Sequence, residues 1–360
     1  MNTLHAIANQ FAHTVTAITP LGNGLINDTY LVETPSSRFV LQRINCTVFP
    51  APEQIMANLD TLNRHIAQKD GASVKLQIPE ILKTLDNSSL YRDQSSNCWR
   101  ALRFIGHTES KEAISTDGDA EQAGFALGRF HRLLSDLDPQ LLHDTLPGFH
   151  IAPGYLKHYH QVMQQSDLPT DRYCAEFIVL FQHIVDDLES AKQQGLLSLR
   201  VIHGDPKLNN FLFDKHTHKI VSIIDLDTVK PGLVHYDIGD CLRSCCHSTG
   251  PVEFDLAICA ALLKSYLTEA DAFFTEHDYH YLYPAIRLIP FELGIRFYTD
   301  YLEGNRYFKV TEPEQNLQRA IGQFRLCASI MTQESAIKGL ISQLQNNVKP
   351  TKTPARNCRE

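Results

Sequence analysis

The sequence lacks the features that mark membrane, secreted and nucleic-acid-binding proteins. No apolar run approaches the roughly 18 residues that a membrane-spanning helix needs. Residues 1 to 5 do not combine the basic and apolar segments of an export signal. The net charge of −8 argues against a general electrostatic attraction to nucleic acid or to an anionic membrane. We therefore expect a cytoplasmic protein that binds neither nucleic acid nor membranes.

The cysteines form no recognisable metal or disulfide pattern. There are nine of them, an odd number, and none stands in a Cys-x-x-Cys pair of the kind that binds zinc. Cys245 and Cys246 are adjacent, which is a poor arrangement for a structural disulfide. We expect free thiols in a reducing compartment.

A chain of 360 residues is long enough for two lobes with separate cores. In residues 13–45, short alternating segments separated by turns predict three strands, and a helix with apolar residues at helical spacing follows from Pro52. Two further strands are expected on either side of residues 87–89, and the second of them ends near residue 105. Residues 1–105 are therefore predicted to form a small N-terminal lobe, mostly antiparallel sheet.

Residues 106–346 are predicted to form a larger, mainly helical C-terminal lobe. Its helices are expected around residues 126–137, 177–188, 254–268, 284–303 and 312–345. The polar, proline-containing segment 347–360 is expected to be disordered. The predicted fold class is α+β, with two lobes and a ligand cleft between them.

One segment of the C-terminal lobe carries the residues that phosphoryl transfer requires. His203-Gly204-Asp205 is followed by Asn210, and a predicted hairpin then leads to Asp225. This spacing is that of the catalytic loop and metal-binding hairpin of protein kinases. We predict that Asp205 takes up the proton of the acceptor hydroxyl and that Asn210 and Asp225 bind Mg²⁺. The alternative, an aspartate that merely caps a turn, does not account for the other two residues in register.

The turn between the first two strands is a candidate for covering the phosphates. Gly22 and Gly24 leave backbone N–H groups accessible, although two glycines in a hairpin usually only make a turn. Asn27 and Thr29, on the outgoing strand, are further candidates for contacting the nucleotide.

Arg43 ends the third strand, where kinases place the lysine that pairs with phosphate. An arginine can hold phosphate with two hydrogen bonds, and the period of two in a strand puts Gln42 on the opposite face. We predict that Asp60 of the following helix pairs with Arg43, and two unrelated surface charges are the alternative. Phe104 and Ile105, between the lobes, are expected to bind the adenine through backbone groups.

These motifs resemble the aminoglycoside phosphotransferase and choline kinase family, whose members are small-molecule kinases with a protein-kinase-like fold. The resemblance is closest to one branch, the N-acetylhexosamine 1-kinases, and extends from about residue 10 to 345. The matching runs lie at residues 26–32, 41–42, 207–210, 224–228, 237–243, 296–297, 300–304 and 307–308. The chain departs from that branch at Arg43, Gly204 and Pro206.

The resemblance implies a substrate and two cofactors. Members of the branch use ATP and Mg²⁺ to phosphorylate the anomeric hydroxyl of N-acetylglucosamine or N-acetylgalactosamine, which gives the sugar 1-phosphate. In that branch an arginine and a tyrosine of the helical region hold the sugar together with the catalytic aspartate. By motif these are Arg296 and Tyr307 with Asp205. The alternative for Arg296 is an ion pair with Glu292 or Asp300 on its own helix.

Other acceptors with the same chemistry are an aminoglycoside, choline or ethanolamine, and homoserine. Cationic acceptors usually need a cluster of acids or an aromatic cage. Trp99, the only tryptophan, precedes the connection between the lobes, which argues against choline. The candidate acids for an aminoglycoside are Asp237, Asp240, Glu292 and Glu303.

Two further alternatives concern function and local structure. A non-catalytic pseudokinase would be expected to lose Asp205, Asn210 or Asp225, and all three are present. The segment from Asp237 to Arg243 is predicted either to pair internally at a helix N-terminus or to support the catalytic loop, and we favour the structural role. The sequence leaves the oligomeric state open and is compatible with a monomer.

Overall fold

The structure is a computed structural model that describes residues 3–22, 26–71, 75–166, 168–246 and 252–348. Its N-terminal part combines a sheet with two helices. The elements are α1 (Thr3–Ala8), β1 (Ala17–Pro20), β2 (Asp28–Glu33), β3 (Arg38–Ile44), α2 (Pro52–Ala67), β4 (Ile81–Leu82), β5 (Tyr91–Arg92) and β6 (Cys98–Arg103).

The N-terminal sheet is antiparallel, with the strand order β1-β2-β3-β6-β4, and β5 also pairs with β6. Its two faces belong to different packing layers, because side chains alternate along a strand. On one face, Phe39, Leu41 and Trp99 are buried in a small cluster with α1. On the other face, Ile44 and Cys98 join the main core together with α2. The predicted division of β3 into two faces is confirmed.

The C-terminal part is mainly helical. Its elements are β7 (Thr108–Glu109), α3 (Asp117–Leu134), α4 (Ala152–Met163), α5 (Arg172–Phe181), α6 (Asp187–Gln193), β8 (Arg200–Ile202), β9 (Phe211–Asp214), β10 (Ile220–Ile223), β11 (Lys230–Gly232), α7 (Val234–Cys245), α8 (Leu256–Ala270), α9 (Glu276–His280), α10 (Leu282–Leu302), α11 (Gln315–Thr332) and α12 (Glu334–Val348).

Helices α3 and α8 approach each other closely at Gly124. A Cβ atom there would lie 2.1 Å from the carbonyl oxygen of Leu262, so this position requires glycine. The contact fixes α3, and the buried His131 of α3 reaches Asp237 of α7. Helix α3 therefore belongs to the layer that supports the loop after β8.

Two small antiparallel pairs position the predicted catalytic residues. Strand β8 pairs with β11, and β9 pairs with β10. The segment between β8 and β9 and the segment between β10 and β11 consequently lie side by side. The backbone N–H of Ile224 donates to the carbonyl oxygen of Asn210 at 2.9 Å, which joins the two segments directly.

The fold class predicted from the sequence is confirmed: an antiparallel sheet region precedes a helical region. Two helical predictions were wrong in detail. The stripe at 177–188 is broken by a 3₁₀ turn at Gln182–Asp186, and Leu180 is exposed. The segment 312–345 forms two helices, α11 and α12, and helix α1 was not predicted.

The division near residue 105 into two functional lobes stays a prediction. Of the predicted disordered segment, residues 349–360 lie outside the described residues, and residues up to Val348 belong to α12. Within the described ranges, no helix is both long enough and apolar enough to span a bilayer.

Candidate active site

Two of the predicted functional residues, Asp205 and Asn210, lie in the loop between β8 and β9. Asp205 is partly buried, and its backbone carbonyl accepts a hydrogen bond of 2.8 Å from Nδ2 of Asn210. The Nζ atom of Lys207 lies 2.6 Å from Oδ2 of Asp205. Burial alone would lower the pKa of Lys207, but the charges of Asp205 and Asp225 raise it overall. Asp205 therefore carries a cationic partner at its exposed edge.

Asp237 of α7 supports this loop from behind. Its two carboxylate oxygens accept hydrogen bonds from the backbone N–H groups of His203, at 2.6 Å, and Gly204, at 2.8 Å. Burial alone would raise the pKa of Asp237, but the hydrogen bond and charge of His131 lower it overall. Asp240 instead pairs with Arg243 within the helix. Asp237 thus supports the loop after β8, and Asp240 pairs internally within its helix. These are the two alternatives predicted for the segment from Asp237 to Arg243.

Gly204 occupies a position that only glycine can adopt without strain. Its φ is +88°, and a Cβ atom would lie 2.6 Å from the carbonyl oxygen of Thr228. Its carbonyl accepts a hydrogen bond of 2.7 Å from Nε2 of His150, whose Nδ1 lies 3.2 Å from Glu292. Burial alone would lower the pKa of His150, but the Glu292 carboxylate raises it overall. The backbone of Gly204 is therefore held at its N–H by Asp237 and at its carbonyl by His150.

Asp225 lies in the turn after β10 in the left-handed conformation, with φ +64° and ψ +55°. Its carboxylate is exposed and has no hydrogen-bond partner within the described ranges. Although the residue is exposed, partial desolvation by the neighbouring protein groups and then the like charge of Asp227 raise the pKa of Asp225 to about 6. Such a carboxylate fits Mg²⁺, which would compensate its charge. The amide of Asn210 fits as well, because its Nδ2 bonds Asp205 and its oxygen is left for the metal.

Asp227, two residues further on, joins the hairpin to the N-terminal sheet. Its Oδ1 lies 2.5 Å from Nη2 of Arg100, and its Oδ2 accepts a hydrogen bond of 2.8 Å from Asn27. Nε and Nη2 of Arg100 also donate to Gln42, at 3.0 and 2.8 Å. Gln42 in turn donates to Thr29 at 3.0 Å. The face of the sheet that carries Gln42 and Arg100 therefore faces the catalytic hairpin.

The predicted pairing of Arg43 with Asp60 was wrong. Arg43 forms its ion pair with Asp28, directly opposite it on β2. Asp60 pairs with Arg64, one turn further along α2. Both pairs are at the surface. Arg43 lies on the sheet face opposite Gln42, and it therefore cannot reach α2 across the strand.

The remaining residues predicted to contact the nucleotide lie around the edge of the sheet. Gly22 is exposed with φ +72°, while Gly24 lies outside the described residues. Phe104 and Ile105 follow β6, and the ring of Phe104 lies 4.6 Å beneath the guanidinium of Arg38. The carbonyl of Ile105 accepts a hydrogen bond from the Thr108 hydroxyl at 2.8 Å.

The guanidinium of Arg296, on α10, lies among aromatic rings. It is 4.9 Å from the ring centre of Phe149, 5.0 Å from that of Tyr155 and 5.6 Å from that of Phe308. Burial alone would lower the pKa of Arg296, but nearby groups, Asp205 among them, raise it overall. Burial also raises the pKa of Tyr155 to about 12. The guanidinium thus lies within electrostatic reach of Asp205, the predicted base.

Arg296 has no ion pair or hydrogen bond with any residue that the structure describes. The alternative partners considered from the sequence are engaged elsewhere. Glu292 bonds His150, and Asp300 bonds the backbone of the loop that carries Tyr307. The interpretation of Arg296 as half of an intrahelical pair was therefore wrong.

Three residues that shape this site, Arg100, His150 and Asp300, have little signature in the sequence. Arg100 was the most accessible, because a charged residue inside the apolar run of β6 signals a buried polar partner. His150 and Asp300 carry no comparable local signal. Their partners, Gly204 and Tyr307, become neighbours only through the folding of the helical region.

The chain is similar to one protein family and to solved kinase structures. The model of the phosphotransferase enzyme family matches residues 17–274. An aminoglycoside phosphotransferase from Alicyclobacillus acidocaldarius is 14% identical, with a TM-score of 0.60 over 96% of both chains. A microcompartment-associated aminopropanol kinase is 15% identical, with a TM-score of 0.61 over 93% of this chain and 97% of the other. An amicoumacin kinase in complex with AMP-PNP, Ca²⁺ and Ami is 17% identical, with a TM-score of 0.60 over 92% of both.

Proposed function

The chain belongs to the phosphotransferase enzyme family and is a small-molecule phosphotransferase, and we propose that it is an ATP- and Mg²⁺-dependent sugar 1-kinase. Its acceptor in this proposal is an N-acetylhexosamine, N-acetylglucosamine or N-acetylgalactosamine, and its product is the sugar 1-phosphate. The acceptor assignment is supported by the guanidinium of Arg296, which has no ion pair among the described residues and lies among the rings of Phe149, Tyr155 and Phe308.

The nucleotide side of the proposal rests on the hairpin and the sheet. Asn210 and Asp225 offer the hard oxygen atoms that Mg²⁺ prefers, and the metal, when bound, neutralises charge on the transferred phosphate. The amicoumacin kinase of the same fold is described with AMP-PNP and Ca²⁺, which supports a nucleotide and a divalent cation here.

The groups proposed to surround the nucleotide are those around the edge of the N-terminal sheet. Phe104 and Ile105 offer backbone groups to the base. The other proposed contacts are Gly22, Asn27 and Thr29, whereas Arg43 and Asp60 form surface ion pairs away from the hairpin and are not part of the proposal.

Asp205 performs the proposed chemistry on the acceptor. The anomeric oxygen forms a bond to the γ-phosphorus, the bond from that phosphorus to the β–γ bridging oxygen breaks, and ADP leaves. The proton of the anomeric hydroxyl passes to Asp205. Such a group contributes roughly 10²–10⁴ in rate, and positioning and charge neutralisation contribute most of the remainder. The Nζ atom of Lys207, at 2.6 Å from Oδ2 of Asp205, holds that carboxylate in position.

The acceptor pocket suits a neutral, hydroxyl-rich molecule. Arg296 has donors free for ring oxygens, hydroxyls or an acetamide carbonyl, and Tyr307 supplies a partly exposed phenol. The partly exposed rings of Tyr155 and Phe308 offer apolar surface to a sugar ring, whereas Phe149 is buried between Arg296 and His150. Both kinds of contact are needed to bind a hexosamine in water.

Cationic acceptors fit this pocket less well. An unpaired guanidinium repels an ammonium group, since both carry positive charge. Each of the four acids that would receive an aminoglycoside has an internal partner: Asp237 the loop after β8, Asp240 Arg243, Glu292 His150 and Glu303 His158. Of their carboxylate oxygens, only Oδ2 of Asp240 and Oε2 of Glu292 are buried without a hydrogen-bond partner among the described residues. Homoserine would present a carboxylate to Arg296, but its ammonium would meet the same difficulty.

The test is ATP consumption with a panel of acceptors at fixed Mg²⁺. The panel contains N-acetylglucosamine, N-acetylgalactosamine, glucose, choline, ethanolamine, homoserine and kanamycin. We expect turnover with the two N-acetylhexosamines, and phosphorus NMR of the product should show an anomeric phosphate. In the variant Arg296→Gln, the KM of the sugar should be about 10–100-fold higher and the KM of ATP unchanged.

Two results would contradict the proposal. Turnover with kanamycin, choline, ethanolamine or homoserine in the absence of any sugar activity would overturn the acceptor assignment. A sugar 6-phosphate as product would retain the kinase but overturn the anomeric position.

A further inference from the structure

The N-terminal sheet directs one arginine towards the catalytic hairpin, and that residue is Arg100. Arg100 and Gln42 are opposite each other on β6 and β3 and share the sheet face that meets Asp227. Arg43 is one residue removed from Gln42 and therefore projects from the other face. The arginine at the end of β3 is thus exposed, whereas Arg100 is almost completely buried.

Protein kinases hold their phosphate-binding lysine with a glutamate on the neighbouring helix, and this ion pair must form for activity. In this chain, neither corresponding position is charged. Gln42 occupies the inward face of β3, and Asn58 is the buried polar residue of α2, whose amide donates to the carbonyl oxygens of His143 and Val229 at 2.9 Å. Among the described residues, Arg100–Asp227 is the one ion pair that joins a strand of the sheet to the C-terminal region.

The pair is built to fix the position of Asp227. The Asp227 carboxylate receives Arg100 on one oxygen and Asn27 on the other, and its backbone carbonyl accepts a hydrogen bond of 2.5 Å from Thr145. Asp227 lies two residues after Asp225, within the same turn. Restraining Asp227 therefore restrains the left-handed turn that presents the proposed metal ligand.

The network is incomplete at two points. Oδ1 of Asp227 contacts Nη2 of Arg100 as an ion pair but is buried without a hydrogen-bond partner among the described residues. Nη1 of Arg100 is buried without a hydrogen-bond partner in the part of the chain that the structure describes. An unsatisfied buried donor is costly, and in a native site it is typical of a group that a ligand or ordered water completes.

We propose that Arg100 is the positioning residue of the N-terminal sheet, and that its ion pair with Asp227 holds the Asp225 turn in the geometry that binds Mg²⁺–ATP. The pair replaces the strand-to-helix ion pair of protein kinases. This inference rests on the proposed nucleotide-dependent phosphoryl transfer but not on the identity of the acceptor.

The experiment compares Arg100→Gln, Arg100→Lys, Asp227→Asn and the double variant Arg100→Gln/Asp227→Asn with the unmodified protein. The control is Arg103→Gln, on the same strand, because Arg103 is exposed and pairs with Glu80 at the surface. The measurements are the Mg²⁺ concentration for half-maximal turnover, kcat, the acceptor KM and the affinity for ATP with Mg²⁺ by calorimetry.

Arg100→Gln should raise the half-saturating Mg²⁺ concentration about tenfold and lower kcat about 10–100-fold, with the acceptor KM within about twofold of the original. Arg100→Lys should recover part of the loss, since it retains the charge without the planar guanidinium. The double variant should be no worse than the poorer single variant, because both substitutions remove one interaction. Arg103→Gln should leave all parameters unchanged.

Thermal unfolding separates positioning from folding. If Arg100→Gln fails to fold, Asp227→Asn carries the test, and a folded Asp227→Asn with unaltered Mg²⁺ dependence would overturn the proposal. Equal Mg²⁺ dependence in Arg100→Gln and Arg103→Gln, or losses that multiply in the double variant, would overturn it too. An unmodified protein that consumes no ATP would instead contradict the proposed function, and calorimetric Mg²⁺–ATP binding would still decide the role of Arg100.

Discussion

The carboxylate of Asp300 accepts a hydrogen bond of 2.7 Å from the backbone N–H of Tyr307. The same carboxylate accepts from the N–H groups of Arg306 and Phe308, at 2.9 and 3.0 Å, and from the Asn316 amide at 2.8 Å. One buried acid at the end of α10 therefore shapes the loop that carries Tyr307 and Phe308 to the side of Arg296. Proposed acceptor residues from two segments are in this way held in one arrangement.

Substitution of Asp300 by asparagine should weaken acceptor binding specifically. Asparagine retains one acceptor oxygen but replaces the other by a donor, which would face backbone N–H groups that also donate. We expect the KM of the acceptor to rise about tenfold, corresponding to ~1.4 kcal/mol, while the KM of ATP stays the same. Steady-state kinetics with each substrate varied in turn measures this.

The matched control for Asp300 is Asp136→Asn, because Asp136 is exposed and pairs with Lys69 at the surface. That substitution should change neither KM, since exposed ion pairs contribute little. An equal rise in both KM values for Asp300→Asn would show a general loss of folding rather than a loop effect.

Substitution of Asp205 by asparagine should abolish most of the chemistry without abolishing nucleotide binding. The amide cannot accept the proton of the acceptor, so we expect kcat to fall by about 10²–10⁴. ATP affinity, measured by calorimetry with Mg²⁺, should stay within about threefold, because Asn210 and Asp225 are intact. Unchanged kcat in this variant would refute the proposed base.

The catalytic residues were accessible from the sequence because their spacing is local. Asp205 and Asn210 lie in one loop, and Asp225 follows a short hairpin. The position of Arg43 could not be predicted in the same way. The period of two separated the faces of β3 correctly, but it could not indicate which face meets the β9–β10 hairpin. His150 and Glu292, 142 residues apart, become partners only when α10 packs beside the catalytic loop.

The substitution Gly204→Ala should destabilise the protein and inactivate it. A Cβ atom would meet the carbonyl oxygen of Thr228, and the φ of +88° is unfavourable for alanine. We expect the free energy of unfolding to fall by ~2 kcal/mol or more. Gly322→Ala is the control, since Gly322 lies within α11 with open space around it, and it should raise the free energy of unfolding by about 0.5–1 kcal/mol. Urea unfolding measures both, and equal effects would contradict the structure at Gly204.

Buried His235 should make the folded protein sensitive to acid. Its Nε2 donates to the carbonyl oxygen of Asp278 at 2.9 Å, and burial lowers the pKa of His235 from 6.5 to about 4. The unfolded chain therefore binds a proton at a higher pH than the folded state does. The contribution of His235 to stability is complete above pH 6.5 and is lost as the pH falls from 6.5 to about 4, by roughly 3 kcal/mol.

The variant His235→Gln tests this contribution, because its amide can still donate to Asp278 but does not titrate. We expect its free energy of unfolding to depend less steeply on pH between 6.5 and 4 than that of the unmodified protein. Urea unfolding at several pH values in this interval measures the difference. His183→Gln, at an exposed histidine, should leave the pH dependence as it was. Parallel curves for the unmodified protein and His235→Gln would show that His235 is not the group that resists protonation in the folded state.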